Sequence, residues 1–269
     1  LINNNNKQDT EFNGHAAIIS NNIINNYNTR ISNYHTTLQH HNAPLGKKYI
    51  MKACGGWGGK GTAIVESAAD IMWNMRRHPK YQDWVLQKYL TNILLLDNRK
   101  FHIRFYLLIV RDHQKHHVKS YLYREGIIYL SSKDYSPEST DMGVHLSNAS
   151  QGGNKFEFSK YFSSQYNKSK TELVYQRFKK IARKCTSAMA GDLRGYSRTK
   201  MSYEIFGVDV LVLQDFRPVI LEFNCQLGWK KISAKWKHYF FDSILQTVVD
   251  PIYPPNKLPE YTNNLFEEL

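Results

Sequence analysis

The chain has 269 residues, 42% of them hydrophobic and 22% charged, a globular balance with enough apolar material for one large core or two small ones. Its formal net charge of +13 favours an acidic partner, be it nucleic acid, anionic lipid or an acidic protein segment. Three scattered cysteines with no zinc spacing argue against a metal knuckle or a disulfide framework, and no apolar run approaches the roughly 18 residues of a membrane span.

A reducing, cytoplasmic setting fits that cysteine usage, and no signal peptide is visible. In chain order, residues 1–45 form an asparagine-biased segment that is expected to be poorly ordered or peripheral, although Ala16–Ile19 has the character to pack. Lys48–Ala53 reads as a strand, Gly55–Gly61 as a glycine-dense turn and Thr62–Val65 as the returning strand. Ser67–Arg77 carries Ala68, Ile71, Met72 and Met75 at helical spacing, and Pro79 stops it. Strands are expected at Trp84–Leu90, Phe101–Val110, Val118–Arg124 and Ile127–Leu130, and a helix at Leu173–Met189. Two apolar strands follow, Tyr203–Leu213 and Pro218–Asn224, then a helix at Trp236–Val249 and a tail over 256–269. Hairpin-built sheets with separate helices give an α+β class.

Three segments carry chemistry. In the late hairpin the lone acid of the first strand is Asp209, while Glu222 and Asn224, two apart, share a face of the second. If Gln214–Arg217 is the turn, Asp209 falls opposite Glu222. Two carboxylates that close require a positive partner, and a hard cation such as Mg²⁺ held with nucleotide phosphates satisfies the requirement. The glycine turn formally matches Gly56-x-Gly58-x-x-Gly61, but it joins two strands and fails both the dinucleotide and the Walker patterns. It still presents Lys60 at its tip and Lys52 on the strand before, with backbone amides able to face phosphate oxygens. In Lys100–Phe105 the alternation is strict: Lys100, His102 and Arg104 take one face, and Phe101, Ile103 and Phe105 the other. Such a basic face suits an anion, and Arg124 adds a planar fork for a carboxylate or phosphate.

Seven stretches, taken in order, resemble the tubulin tyrosine ligase family, whose catalytic domain is an ATP-grasp fold. They are Ile50-Met51-Lys52 with Gly59-Lys60-Gly61, Val85–Leu90, Lys100–Arg104, Tyr121–Gly126, His145–Asn148, Phe206–Asp209 and Leu221–Asn224. The resemblance implies antiparallel sheets with flanking helices that clasp ATP between two subdomains, within a ligase domain over 46–255. It implies that Lys52, Lys60 and Gly61 meet ATP phosphates and that Gln87, Lys88, Tyr89 and Leu90 form the adenine hinge. Lys100 and Arg104 would line the acyl-phosphate region, with His102 where the family carries an acid beside the ribose. Arg124 would bind the carboxylate of an incoming amino acid, with Ser147 and Asn148 beside it, and Asp209, Glu222 and Asn224 would bind Mg²⁺.

The implied activity is ATP-dependent ligation of a free amino acid to an acidic protein tail, tubulin in the first instance. One alternative is a polyglutamylase or other ATP-grasp ligase with a different acceptor. Another is an inactive nucleotide-binding protein or a basic nucleic-acid binder, and the two acids of the late hairpin argue against nucleic acid because they repel phosphate.

Overall fold

The computed structural model describes residues 16–20, 44–56, 58–113, 117–147, 152–189, 201–225, 227–228, 232–255 and 263–269. The chain divides into two compact units, Leu1–Thr91 and Asn92–Leu269. The ligase domain expected over 46–255 includes residues of both units.

The first unit is a four-stranded antiparallel sheet of β1 (Ala16–Ser20), β2 (Pro44–Ala53), β3 (Thr62–Ser67) and β4 (Asp83–Lys88), in the order β1-β4-β2-β3. Helix α1 (Ala68–Arg77) follows β3. Its start is set by a capping box: the Asp70 N–H donates to Ser67 Oγ, and the Ser67 N–H donates back to the Asp70 carboxylate. Met75 packs with Met51, Ala53, Val65 and Trp84 in the core of this unit. Part of the asparagine-biased segment is therefore strand, since Ala16–Ser20 pairs along β4; its other residues lie outside those described.

The β2–β3 hairpin closes through the glycine turn, where the Ala53 N–H donates to Gly61 O at 2.9 Å. Gly61 has φ +73°, and a Cβ there would sit 2.7 Å from Ala53 Cβ and 2.9 Å from the Tyr81 ring. Only glycine meets both conditions.

The second unit is built on β6 (Arg99–Asp112), 14 residues long. On one side β10 (Met201–Val212) pairs with β6, and β11 (Pro218–Asn224) pairs with β10. On the other side β6 is shared. Its first half pairs with β8 (Ile127–Asp134), which carries β9 (Asn154–Glu157). Its second half pairs with β7 (His117–Tyr123), which carries β12 (Phe266–Glu268). A short strand, β5 (Leu95–Leu96), pairs with the start of β6. Every pairing is antiparallel, as the α+β class requires.

Helices cover both faces of this sheet. The period-two alternation of β6 explains why. Phe101, Ile103, Phe105, Leu107 and Ile109 pack with α3 (Phe158–Gln165) and α4 (Lys168–Met189) through Phe158, Phe162, Val174 and Phe178. Tyr106, Leu108 and Val110 face the other way and pack against α5 (Ala234–Val248) through Trp236, Phe240 and Ile244. One further single turn, α2 (Met142–His145), lies beyond β8.

Within the expected tail over 256–269, residues 263–269 are described. Phe266–Glu268 is a sheet strand, and Phe266 is buried against Tyr123 and Phe240. The sequence reading left 154–165 unassigned because two short elements there carry no long period. Among the described residues no helix is long and apolar enough to cross a membrane, and the three cysteines are free.

Candidate active site

Asp209 lies on β10 between two partners. In register it faces Arg104 of β6 on one side and Glu222 of β11 on the other. The expected opposition of Asp209 and Glu222 is found, by a different route. Next to the turn Val212, not Leu213, pairs with Pro218, and a bulge between Asp209 and Val210 then shifts the register by one. Without that bulge Asp209 would face Leu221. Bulges re-aim side chains in this way beside functional sites.

The Arg104 guanidinium grips Asp209 with two bonds, Nε to Oδ1 and Nη2 to Oδ2, both 2.7 Å. The Asp209 side chain is only 5% exposed and that of Arg104 14%, so the pair is largely withdrawn from water. Gly207 makes the reach possible: a Cβ there would stand 3.1 Å from Arg104 Cδ, and the arginine stem lies across that gap. Burial alone would push the Asp209 carboxyl up; nearby His102 and the Arg104 guanidinium outweigh it and hold the carboxyl below its usual range. Part of the positive charge that the sequence reading ascribed to a metal is thus supplied by arginine.

Asn224 completes the cluster. Its Nδ2 donates to Asp209 Oδ2 at 3.2 Å and to Glu222 Oε1 at 3.4 Å. Glu222 is exposed, whereas Asp209 is buried, so one carboxylate is fixed and the other is accessible. No three His, Cys, Asp or Glu residues gather as metal ligands among the described residues. The available set is instead two carboxylates and an amide. An all-oxygen set suits a hard cation, with Glu222 and the remaining lone pairs of Asp209 as anionic donors and Asn224 able to turn its amide oxygen inward. On donor chemistry the residues fit Mg²⁺.

His102 is buried in the same face. Its ring stacks on Tyr129, with centroids 4.7 Å apart and planes 7° apart, and Nδ1 lies 2.6 Å from Ser147 Oγ. Nε2 lies 3.8 Å from Asp209 Oδ1. The Arg104 guanidinium sits over the same Tyr129 ring at 5.2 Å. Tyr129 is therefore a platform for both basic residues. The sequence reading missed it, because its role depends on β8 pairing to put Tyr129 opposite His102. Lys100 is buried at the start of this basic face. Asn148 lies outside the described residues.

Arg124 is not brought to this cluster. Its guanidinium donates to Glu267 at 2.7 Å and Glu172 at 2.6 Å, over the Tyr175 ring. Tyr175 belongs to the α3/α4 face of the sheet and Tyr129 to the α5 face. A one-residue step along a strand exchanges faces, and Arg124 follows Tyr123, which points to α5.

In the first unit Lys52 lies on β2, paired with Thr62 and Val85, and Lys60 is exposed at the hairpin tip beside Gly61. Gln87 and Lys88 end β4 opposite Ile50 and Tyr49. Tyr89 is buried and its N–H donates to Lys48 O at 2.9 Å, and Leu90 follows it beyond the strand.

A model described as the tubulin-tyrosine ligase family matches residues 2–260. The chain belongs to that family. Among tubulin-tyrosine ligase family relatives, a tubulin polyglutamylase of Caenorhabditis elegans is 28% identical over 204 residues, covering 66% of this chain and 27% of the relative. A probable tubulin–tyrosine ligase of Schizosaccharomyces pombe is 26% identical over 180 residues, covering 64% of this chain and 43% of the relative. A probable tubulin polyglutamylase of Mus musculus is 26% identical over 157 residues, covering 53% of this chain and 33% of the relative. The chain thus spans less than half the length of these curated relatives.

Proposed function

We propose that the protein is an ATP-dependent carboxylate–amine ligase of ATP-grasp type that joins a free amino acid to an acidic protein acceptor. The carrying observation is a family match over residues 2–260 in a chain whose second unit sets Asp209, Glu222 and Asn224 beside Arg104. Tubulin is the favoured acceptor because the relatives are named for tubulin modification. The net charge of +13 suits an acidic tail, and a cytoplasmic, cytoskeleton-associated location follows from that acceptor.

In this reading the γ-phosphoryl group of ATP passes to an acceptor carboxylate, giving an acyl phosphate and ADP. The amine of the incoming amino acid then attacks the acyl carbon, an amide bond forms, and phosphate leaves. Lys52, Lys60 and Gly61 bind phosphates, and the Gln87–Leu90 segment holds adenine. Lys100 and Arg104 face the charge that develops on the transferred group, and His102, fixed by Ser147 and Tyr129, lies on the ribose side. Asp209, Glu222 and Asn224 would hold Mg²⁺, which when bound supplies charge neutralisation at the phosphates. Positioning and electrostatic stabilisation do most of the work in such transfers.

Polyglutamylation is the second reading, favoured by two relatives named as polyglutamylases. Both are tested by incubating the protein with Mg·ATP, tubulin and a panel of labelled amino acids. Incorporation of tyrosine or of glutamate separates them. No incorporation of any amino acid, with ATP bound, refutes ligase activity.

A further inference from the structure

The Asp209 carboxylate has little acceptor capacity left. Oδ1 accepts from Arg104 Nε, and Oδ2 accepts from both Arg104 Nη2 and Asn224 Nδ2. Three donors therefore fill most of the roughly four lone-pair positions that a carboxylate offers. Asn224 turns the same amide nitrogen to Glu222 Oε1 at 3.4 Å. Arg104 and Asn224 thus both present hydrogen to oxygens that a hard cation requires bare. The cluster is arranged as one closed to metal, with a guanidinium in the place of the cation.

Opening the cluster is more than the movement of one side chain. The Asp209 side chain is 5% exposed and that of Arg104 14%, so neither ion can lose its partner without a large uncompensated cost. A divalent cation arriving by itself would take Asp209 and strand the guanidinium beside its own positive charge. An anion arriving by itself would meet Asp209 and Glu222. A cation carried on a phosphate removes both conflicts. Arg104 then exchanges a carboxylate for a phosphate, which its planar fork also fits, and Asp209 exchanges a guanidinium for the metal. Gly207 lies along the arginine stem and Gly228 beside Nη1, so neither position adds a side chain that would bar the turn.

We propose that Arg104 is a latch on the acidic cluster. Bound to Asp209 it closes the cluster to free divalent cations, and it releases Asp209 only to a metal–phosphate ligand that supplies a replacement ion for each partner. The inference rests on the reading of Asp209, Glu222 and Asn224 as Mg²⁺ ligands and adds the order of events at that site. Asn224 turns its amide at the same step, so that oxygen replaces nitrogen toward the acids. Metal and phosphate then bind with mutual coupling, because each removes the obstacle to the other.

Titration of the full chain with Mn²⁺ alone, followed by loss of the free-ion paramagnetic resonance signal, tests the closed state. Arg104→Gln, which keeps a donor but no charge, should bind Mn²⁺ about tenfold more tightly than the unmodified protein. The gain should vanish when Glu222→Gln is added, which places it in the acidic cluster. Arg104→Lys keeps the buried charge without the fork; it should gain in the same direction, and it serves if Arg104→Gln does not fold. A second measurement reads the unmodified protein. The Arg104 Nε–H resonance of ¹⁵N-arginine-labelled protein, assigned by its absence from Arg104→Lys, should exchange slowly with solvent. Mg²⁺ alone should leave it unchanged, and Mg²⁺ with a non-hydrolysable ATP analogue should shift it. Equal Mn²⁺ affinity in the unmodified protein and both variants overturns the latch and leaves the metal ligands as read. An Arg104 resonance unmoved when Mg²⁺ and the analogue are bound overturns it too. If Mn²⁺ binding is indifferent to Glu222→Gln in every form, the metal reading fails and the latch with it.

Discussion

Replacing Asp209 by asparagine separates what the Arg104–Asp209 pair does for folding from what the cluster does for chemistry. The two 2.7 Å bonds lie between side chains that are 14% and 5% exposed. Both ions have therefore surrendered most of their hydration, and their attraction is what offsets that loss. Asp209→Asn keeps one acceptor oxygen but leaves the guanidinium charge buried and uncompensated. Breaking a buried pair from one side costs about 3–5 kcal/mol, and the retained acceptor places this case near the lower bound. With a urea slope of about 2 kcal/mol/M the midpoint should fall by about 1.5 M. Urea unfolding followed by hydrogen exchange on peptides of β6 and β10 reads the second unit directly. The double variant Arg104→Met with Asp209→Leu removes both desolvated charges and should recover most of the loss, yet remain without ligase activity. A loss under about 1 kcal/mol in Asp209→Asn, or a double variant as unstable as the single, would refute the claim that the pair is buried and mutually dependent.

Glu222→Gln should change stability by no more than about 0.5 kcal/mol, since the side chain is exposed, while eliminating labelled amino acid incorporation; full activity would remove Glu222 from the proposed metal site. Ser67→Ala should destabilise the first unit by about 1 kcal/mol through loss of the capping box at α1, read by hydrogen exchange on the β3–α1 peptide. Burial pushes the Glu267 carboxyl up, but Lys179 and Arg124 outweigh it and hold it below the ordinary glutamate range. Its stabilising contribution is therefore complete above the unfolded value of about 4.3 and is lost as pH falls through the lower folded value. Glu267→Gln should flatten the acid limb of a melting-temperature profile between pH 6 and 3, and an unchanged limb would remove the ion pairs as its cause.

Much of the architecture was legible because it is written in local period. The strict alternation of Lys100–Phe105 predicted two unlike faces on β6, and the structure buries Phe101, Ile103 and Phe105 against α3 and α4 while His102 and Arg104 line the site. The helical spacing from Ser67 predicted α1, and the structure adds its capping box. The spacing of Glu222 and Asn224 predicted a shared face, and Asn224 bonds both acids. Short elements such as β9 and α3 escaped notice because four to eight residues carry too little period. The bulge beside Asp209 escaped because nothing local distinguishes a strand of seven residues from one with a bulge.

The sequence by itself determined which residues alternate, which lie at turns, and which oxygen donors sit two apart on one strand. Only the tertiary structure decided what those residues face. Arg104 and Asp209 are 105 positions apart, and their bond exists because β6 and β10 pair in one register. One residue of slip would have sent either side chain to the opposite helical layer. Arg124 shows the same rule from the other side, since a single step past Tyr123 ties it to Glu172 and Glu267 and away from the acidic cluster. Alternation is a property of a few consecutive residues; register is a property of two distant strands and of the apolar faces that they bury together.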